Sequence, residues 1–160
     1  MSGIEISKVN QLFIARHAGE VMQPVAEVSL RAGVGIHGDR YGEGVGRFTH
    51  SKRKTIRQIS LISLEAFEEA NSEAEAPFTL GETRRNIVTT GVELNCLVDM
   101  VFWIGPVALR GVELCTPCAV PSTLSGKPGF LTAFKDRGGL RAEVLEDGII
   151  RVSDEVRKAR

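Results

Sequence analysis

Three absences limit what this chain can be. It has only three cysteines in 160 residues, too few for a disulfide framework, which favours a reducing cytoplasm. No stretch approaches the ~18 uninterrupted apolar residues of a membrane-spanning helix, and Met1–Glu5 shows no basic segment leading into an apolar core, so we expect no membrane segment and no secretory signal. Twenty basic and twenty acidic residues cancel, which leaves no overall charge to attract nucleic acid.

The remaining composition is that of an ordinary globular protein. Hydrophobic residues make up 42% of the chain and charged residues 25%, as is typical of soluble domains. At this length we expect residues 1–160 to form one domain. A local basic cluster, Lys52–Lys54 with Arg57, is interpreted as a solvated loop. The oligomeric state is left open.

Short apolar segments rich in β-branched residues predict strands along most of the chain. The predicted strands and helices are Ile4–Ala15 with an interruption near Asn10, Val25–Leu30, Arg57–Ser63, a helix over Leu64–Ala70 capped by Ser63, Ile87–Val88, Met100–Ile104, Val107–Cys115 with a bulge at Gly111, a helix over Phe130–Asp136 stopped by Gly138–Gly139, and a hairpin of Leu140–Leu145 with Ile149–Val152. About eight to ten short strands with two short helices favour a mainly β fold, a closed or nearly closed β-barrel with short α insertions.

A glycine-dense segment lies between the second and third predicted strands. Gly33–Gly46 contains six glycines, with Asp39 and Arg40 at its centre, which predicts several special backbone conformations. Gly33–Gly38 matches the dinucleotide-binding fingerprint by letter. The match is rejected because Asp39–Tyr41 follows where the phosphate-binding helix should begin.

The strongest chemical motif is Leu114-Cys115-Thr116-Pro117-Cys118-Ala119, two thiols at the end of a predicted strand. A zinc site needs four ligands. Cys96 and His17, His37 or His50 could complete one with the two thiols, but their spacing is not that of a zinc motif. A redox dithiol needs a helix after the first cysteine, which Pro121 argues against. One reactive thiol with a structural neighbour, or two buried structural thiols, are the alternatives that remain.

Arginines at turns and strand entrances suggest anion binding. Arg40 lies in the glycine-rich loop, and Arg84 and Arg85 precede a β-branched pair. Guanidinium groups bind phosphate or carboxylate through paired N–H donors. For each arginine alone, a surface ion pair with Asp39 or Glu82 is the alternative. Together with a soft thiolate, they suit an anionic cofactor that carries both phosphate and a thiophilic metal.

Several motifs together make the chain resemble the MOSC domain family, named for the C-terminal region of molybdenum cofactor sulfurases. They occur in the family's order and cover nearly the whole chain: Gly35–Tyr41, Arg57–Ile62, Arg84–Val88, Gly91–Asn95, Leu114–Ala119 and Arg137–Ala142. The family implies a barrel-like β fold. It also implies a site whose cysteine ligates molybdenum or carries sulfur as a persulfide.

The resemblance assigns roles residue by residue. Cys118 matches the metal-ligating cysteine of the related amidoxime-reducing enzymes, and Thr116 a hydroxyl residue that contacts cofactor phosphate. Arg40, Arg84 and Asn86 match positions that hold the pterin or its phosphate. Cys115 is expected to be a supporting residue. The chain departs from small family members at Tyr41, where histidine is common, and carries His37 instead.

The resemblance leaves three functions to separate. The first is a protein that binds the molybdenum cofactor, molybdopterin. In it Cys118 is either the metal ligand or a persulfide carrier that receives its sulfur from a sulfur-donor protein. The second is a molybdenum-dependent oxidoreductase that reduces N-hydroxylated compounds with an external electron donor. The third is a metal-free structural or interaction module. Pyridoxal phosphate is not predicted, since no lysine lies in a recognisable context for it.

Overall fold

The structure is a computed structural model that describes residues 6–50 and 56–158. These residues form eleven strands and three short α-helices, so the predicted mainly β fold is confirmed, with one strand and one helix more than predicted. In chain order the elements are β1 (Lys8–Ile14), β2 (Gln23–Val25), β3 (Glu27–Arg31), β4 (Gly35–Ile36), β5 (Ile59–Ser63), α1 (Leu64–Glu73), β6 (Ile87–Thr90), β7 (Val101–Ile104), β8 (Val107–Leu114), α2 (Val120–Ser125), α3 (Phe130–Ala133), β9 (Leu140–Val144), β10 (Gly148–Arg151) and β11 (Val156–Lys158). Two 3-10 helices cover Gly81–Thr83 and Leu94–Leu97.

Eight strands form one curled sheet in the order β11-β7-β8-β9-β5-β6-β1-β2, and β10-β3-β4 form a second sheet. Every pairing is antiparallel except that of β5 with β6, which α1 connects. The large sheet curls until its end strand β11 meets β1, because Val9 N–H donates to the Asp154 carbonyl and Val156 N–H donates to the Ser7 carbonyl. The result is the expected barrel-like architecture.

The strands at the centre of the sheet are buried on both faces. Leu61 and Ile87 belong to the core enclosed by the curled sheet. Their neighbours Ile62 and Val88 point the other way, into a second core beneath the helices. That second core contains a cluster of phenylalanines in which the rings of Phe130 and Phe134 stack with centroids 4.4 Å apart. This packing fixes the helical layer on the outside of the sheet.

Two predicted irregularities are confirmed. The pairing of β1 with β6 shifts register between Val9 and Gln11, at the predicted interruption near Asn10. The pairing of β8 with β9 shifts between Gly111 and Glu113. A side chain at Gly111 would meet the Leu97 carbonyl oxygen 2.0 Å away, so the bulge needs glycine because another chain segment passes close by.

Two predicted strand arrangements are wrong. The segments of the predicted C-terminal hairpin do form β9 and β10, but β9 pairs with β5 and β8, whereas β10 pairs with β3 in the second sheet. The predicted strand Val25–Leu30 is split at Ala26, so that β2 and β3 enter different sheets. The hairpin prediction assumed that neighbours in sequence pair, whereas both of its segments pair with strands that are distant in the chain. The predicted strand Val25–Leu30 is interrupted at Ala26, after which one half pairs with β1 and the other with β10 and β4.

The helix predictions are correct in part. Ser63 caps α1, accepting a hydrogen bond from the Ala66 N–H at 3.1 Å. The second predicted helix is reduced to Phe130–Ala133. A short helix, α2, begins at Val120 despite Pro121, because proline is tolerated in the first helical turn. No helix of the described residues has the length and apolar character to cross a membrane.

The Gly138–Gly139 pair, predicted to stop a helix, serves a different purpose. A Cβ atom at Gly139 would lie 1.9 Å from the Leu61 carbonyl oxygen, and one at Gly138 would lie 2.2 Å from the Cys115 carbonyl oxygen. The Cys115 N–H also donates to the Gly139 carbonyl at 2.8 Å. The cysteine segment is therefore held directly against backbone that only glycine can provide.

We expect Gly139→Ala to lower the free energy of unfolding by about 3 kcal/mol or more, because the new methyl group displaces β5 or the cysteine segment. Gly33→Ala is the matched control, since Gly33 also has positive φ but has open space around its Cα. That variant should lose only about 1 kcal/mol from backbone strain. Denaturant unfolding of both variants checks this, and equal losses would contradict the close approach at Gly139.

Candidate functional site

All five residues assigned to the site lie around one cleft. It is lined by the predicted Arg40, Arg84, Asn86, Thr116 and Cys118. The contributing segments are the glycine-rich loop, the residues that lead into β5 and β6, and the segment between β8 and α2. Residues separated by up to 78 positions in the sequence, Arg40 and Cys118, are thus brought to one place.

The carboxylate of Asp39 has no exposed surface and does not line the cleft, but it accepts hydrogen bonds from residues that do. Its Oδ1 accepts hydrogen bonds from the Ala15 N–H at 3.1 Å, Arg40 Nη1 at 3.1 Å and Asn86 Nδ2 at 3.2 Å. Its Oδ2 accepts from the Tyr41 N–H at 3.3 Å. A buried carboxylate requires such compensation. The ion pair proposed between Asp39 and Arg40 is therefore present, but it is buried rather than on the surface.

Asn86 uses its whole amide group inside the protein. Its Nδ2 donates to the Phe13 carbonyl and to Asp39, while its Oδ1 accepts from the N–H and the hydroxyl of Ser60. An amide offers two donors and two acceptor positions, and all are occupied. The assignment of Asn86 to the cofactor stays a prediction, and its hydrogen bonds favour a positioning role that joins β1, β5 and the Asp39 loop.

Arg40 is also largely committed to protein partners. The residue is 6% exposed. Besides its contact with Asp39, its Nη1 donates to Met22 Sδ at 3.4 Å and its Nη2 donates to the Arg84 carbonyl at 3.3 Å. Arg84 adopts the left-handed conformation with φ of 64°, which is uncommon for a residue other than glycine. Arg40 thus holds the backbone from which the Arg84 side chain enters the cleft.

Arg84 offers free hydrogen-bonding capacity. Its Nη1 donates to the Glu20 carbonyl at 2.8 Å, whereas its Nη2 is buried and has no hydrogen-bond partner among the described residues. Burial, together with the positive charge of Arg40, lowers the pKa of Arg84 to about 10. The guanidinium therefore remains charged at neutral pH while lacking full solvation, an arrangement that a bound anion would stabilise.

The cysteine segment presents its two thiols differently. Cys115 is 3% exposed and Cys118 is partly exposed in the cleft. Thr116 is exposed at the same cleft. The asymmetry fits the alternative of one accessible thiol with a structural neighbour. Cys96 lies exposed on the second 3-10 helix, and no cluster of three or more metal-ligating side chains occurs in residues 6–50 and 56–158.

Among the cleft residues with no role assigned from the sequence are Tyr41, Arg47, Arg57 and Arg141. Arg85, predicted together with Arg84 to bind an anion, also lines the cleft, and its Nε donates to the Gly138 carbonyl at 2.7 Å. Lys52–Lys54 of the predicted basic cluster lie outside the described residues. The prediction that Arg57 belongs to a solvated loop is wrong, since Arg57 is half-buried in the cleft. Its position two residues before β5 parallels that of Arg84 and Arg85 before β6. An arginine just before a buried strand was therefore the sequence feature that could have identified Arg57 as a cleft residue.

Other expected partners lie elsewhere. Glu82, proposed as an ion-pair partner of an arginine, pairs with Lys127 at 2.6 Å. His37 approaches Glu43 at 3.4 Å on the surface and does not line the cleft. Tyr41 does line it, with the Arg40 guanidinium carbon 5.0 Å from its ring centroid.

The fold and the site define a class of protein: a small, barrel-like β protein with an arginine-lined cleft beside an accessible cysteine. The family model for the MOSC domain matches residues 37–157, and the chain belongs to this family. The match includes every residue assigned to the site.

Solved structures share the fold at low sequence identity. YuaD from Bacillus subtilis has 21% identity and a TM-score of 0.79, with 98% of each chain covered. YiiM from Geobacillus stearothermophilus has 15% identity and a TM-score of 0.72, covering 96% of this chain and 75% of that one. YiiM from Escherichia coli has 15% identity and a TM-score of 0.61, with coverages of 96% and 70%. No curated protein sequence matched this chain.

We expect Asp39→Asn to lower the free energy of unfolding by about 3 kcal/mol, because it leaves the buried Arg40 charge without a counter-charge. Glu27→Gln is the control, since Glu27 forms an exposed pair with Arg151 at 3.4 Å whose loss should change stability by about 0.5 kcal/mol or less. Thermal or denaturant unfolding provides the measurement. A variant at Asp39 as stable as the parent would show that the network does not hold the site together.

Proposed function

We propose that this MOSC domain binds the molybdenum cofactor, with Cys118 as a ligand of the metal or as the carrier of sulfur destined for it. The observation that carries the proposal is the buried Nη2 of Arg84, which has no hydrogen-bond partner within residues 6–50 and 56–158 and lies in the same cleft as the accessible Cys118 thiol. One group suits a phosphate and the other suits a soft metal or a sulfur atom.

The charge of the cleft supports an anionic ligand. Six of its lining residues are arginines, and no aspartate or glutamate lines it among the described residues. In a chain with no net charge, this is a strong local concentration of positive charge. Arg84 remains positively charged but is partly desolvated. A bound phosphate group can therefore accept a hydrogen bond from the Arg84 Nη2 and provide the negative counter-charge.

Within this proposal the residues divide into two groups. Arg84 and Thr116 would bind the phosphate of the pterin, and Cys118 would ligate molybdenum. Arg40, Asp39 and Asn86 would position Arg84, since their hydrogen bonds are made to one another and to backbone. When bound, the cofactor would supply a metal that exchanges two electrons.

Sulfur transfer requires the same accessible thiol. A Cys118 thiolate would attack the outer sulfur of a persulfide on a donor protein, forming a persulfide on Cys118 and releasing the donor as a thiolate. Cys115 is buried and so is a poor candidate for that attack. The exposure of Cys118 therefore serves both versions of the proposal.

We expect protein purified under reducing conditions, from a host that makes the cofactor, to contain molybdenum or a persulfide on Cys118. The Cys118→Ala variant should lack whichever of the two, molybdenum or persulfide, the parent protein carries. The reason is that no other accessible thiol lies in the cleft of the described structure. Cys96→Ala is the matched control, since Cys96 is exposed but outside the cleft, and it should keep both. Elemental analysis and intact-mass spectrometry provide the measurements.

Retention of molybdenum by Cys118→Ala would refute the ligand assignment. Absence of both molybdenum and persulfide from the parent protein would instead favour a metal-free module. If molybdenum is present, reduction of benzamidoxime with an artificial electron donor separates an oxidoreductase from a carrier.

Arg84→Gln should weaken cofactor retention by about 10- to 100-fold, the effect of losing a charge-assisted hydrogen bond worth about 1.5–3 kcal/mol. Arg31→Gln removes the same charge at the exposed end of β3, outside the cleft, and should have no such effect. The molybdenum-to-protein ratio after extensive dialysis measures both. Equal retention in the two variants would contradict the assignment of Arg84 to the phosphate.

A further inference from the structure

A second arginine in the cleft has an unsatisfied hydrogen-bond donor. The Nε of Arg57 is buried and has no hydrogen-bond partner among the described residues. Arg57 forms no ion pair within residues 6–50 and 56–158, and its guanidinium carbon lies 4.6 Å from the centroid of the Phe48 ring. A buried N–H without a partner costs free energy, so the position of this guanidinium calls for an explanation.

The surroundings of Arg57 increase that cost. Burial, followed by the positive charge of Arg141, lowers the pKa of Arg57. Arg141 itself is neutralised, because its Nη1 donates to Glu113 at 2.6 Å. Arg57 is therefore the arginine of this pair that has no ion-pair partner among the described residues.

Arg57 and Arg84 have separate surroundings. Arg84 is held by the Glu20 carbonyl and lies beside Arg40, whereas Arg57 lies against Phe48 and beside Arg141. They precede β5 and β6, which are adjacent parallel strands. Parallel neighbours begin at the same edge of the sheet, and both arginines line the cleft. They share no hydrogen-bond partner among the described residues, since Arg84 donates to the Glu20 carbonyl and the Arg57 Nε has no partner.

We propose that Arg57 forms a second anion subsite, which binds a phosphate or carboxylate group distinct from the one at Arg84. The proposal rests on the proposed function in taking Arg84 as the first subsite. The cleft then suits either one ligand with two anionic groups, such as a diphosphate, or a cofactor phosphate together with a separate anionic molecule. The Phe48 ring packs against the Arg57 guanidinium, and a guanidinium in contact with an aromatic ring can still donate hydrogen bonds to an anion through its N–H groups.

The test follows the Arg57 Nε–H resonance by two-dimensional NMR while inorganic phosphate, and then pyrophosphate, is added to cofactor-free full-length protein. We expect a saturable shift of this resonance. The Nε–H group of Arg110 is the internal control, because Arg110 lies outside the cleft and its Nε already donates to Glu143, so its resonance should shift little. The resonance is identified by its loss in Arg57→Gln.

Calorimetric titration with pyrophosphate gives a second measurement. Arg57→Gln should weaken binding by about tenfold or more, as expected for a lost charge-assisted hydrogen bond, while Arg31→Gln changes it by less than about twofold. If pyrophosphate binds the parent more tightly than phosphate and this preference is lost in Arg57→Gln, one ligand spans both subsites. If the Arg57 resonance saturates with both anions and the preference is absent, two separate anions bind.

An unmoved Arg57 resonance at saturating pyrophosphate, or parent-like affinity in Arg57→Gln, would overturn the second subsite. If Arg84→Gln still abolishes binding in that case, the proposed cofactor site stands without it. If neither substitution matters, the anion-binding basis of the proposed function fails as well. The two proposals are thereby tested separately.

Discussion

The site depends on one buried carboxylate. Asp39 accepts hydrogen bonds from the end of β1, from Arg40 and from Asn86, and Asn86 in turn bonds to β5 through Ser60. Three parts of the chain that are far apart in sequence are thus joined through a single acidic group. Burial of a charge is tolerated only when each lone pair and N–H is matched, so the network admits little variation. Arg40 extends it to the backbone of Arg84, and through that backbone to the cleft.

The sequence predicted the composition of the site better than the roles within it. The cysteine segment and the arginines at turns and strand entrances indicated a cleft for an anion and a soft metal, and these residues do line one cleft. Which arginine has a counter-charge depends on distant partners, such as Glu113, which pairs with Arg141, whereas Arg84 has, among the described residues, only a backbone carbonyl, that of Glu20. Two residues illustrate the difficulty. Asn86 is predicted to bind a ligand, but its side-chain amide forms all its hydrogen bonds with protein groups. Arg57 is predicted to lie in a solvated loop, but it is half-buried.

The same distinction explains the fold predictions. Strand positions followed from apolar, β-branched segments, and the bulges at Asn10 and Gly111 followed from local irregularity. Strand partners did not follow, because the apparent hairpin of β9 and β10 is overridden by long-range burial. Local sequence determines whether a segment forms a strand. Which strand it pairs with depends on the tertiary packing of its apolar face.

The meeting of β1 with the residues before β11 has a consequence for how this fold can be used in larger proteins. Lys8 and Glu155 are bridged directly, so the two ends of the described chain emerge side by side from the barrel, and neither lines the cleft. A domain attached at either end would leave from the same side, and the whole barrel could be inserted into a loop of another protein through two adjacent junctions. The geometry suits a module that is exchanged as a unit, with its binding cleft left open.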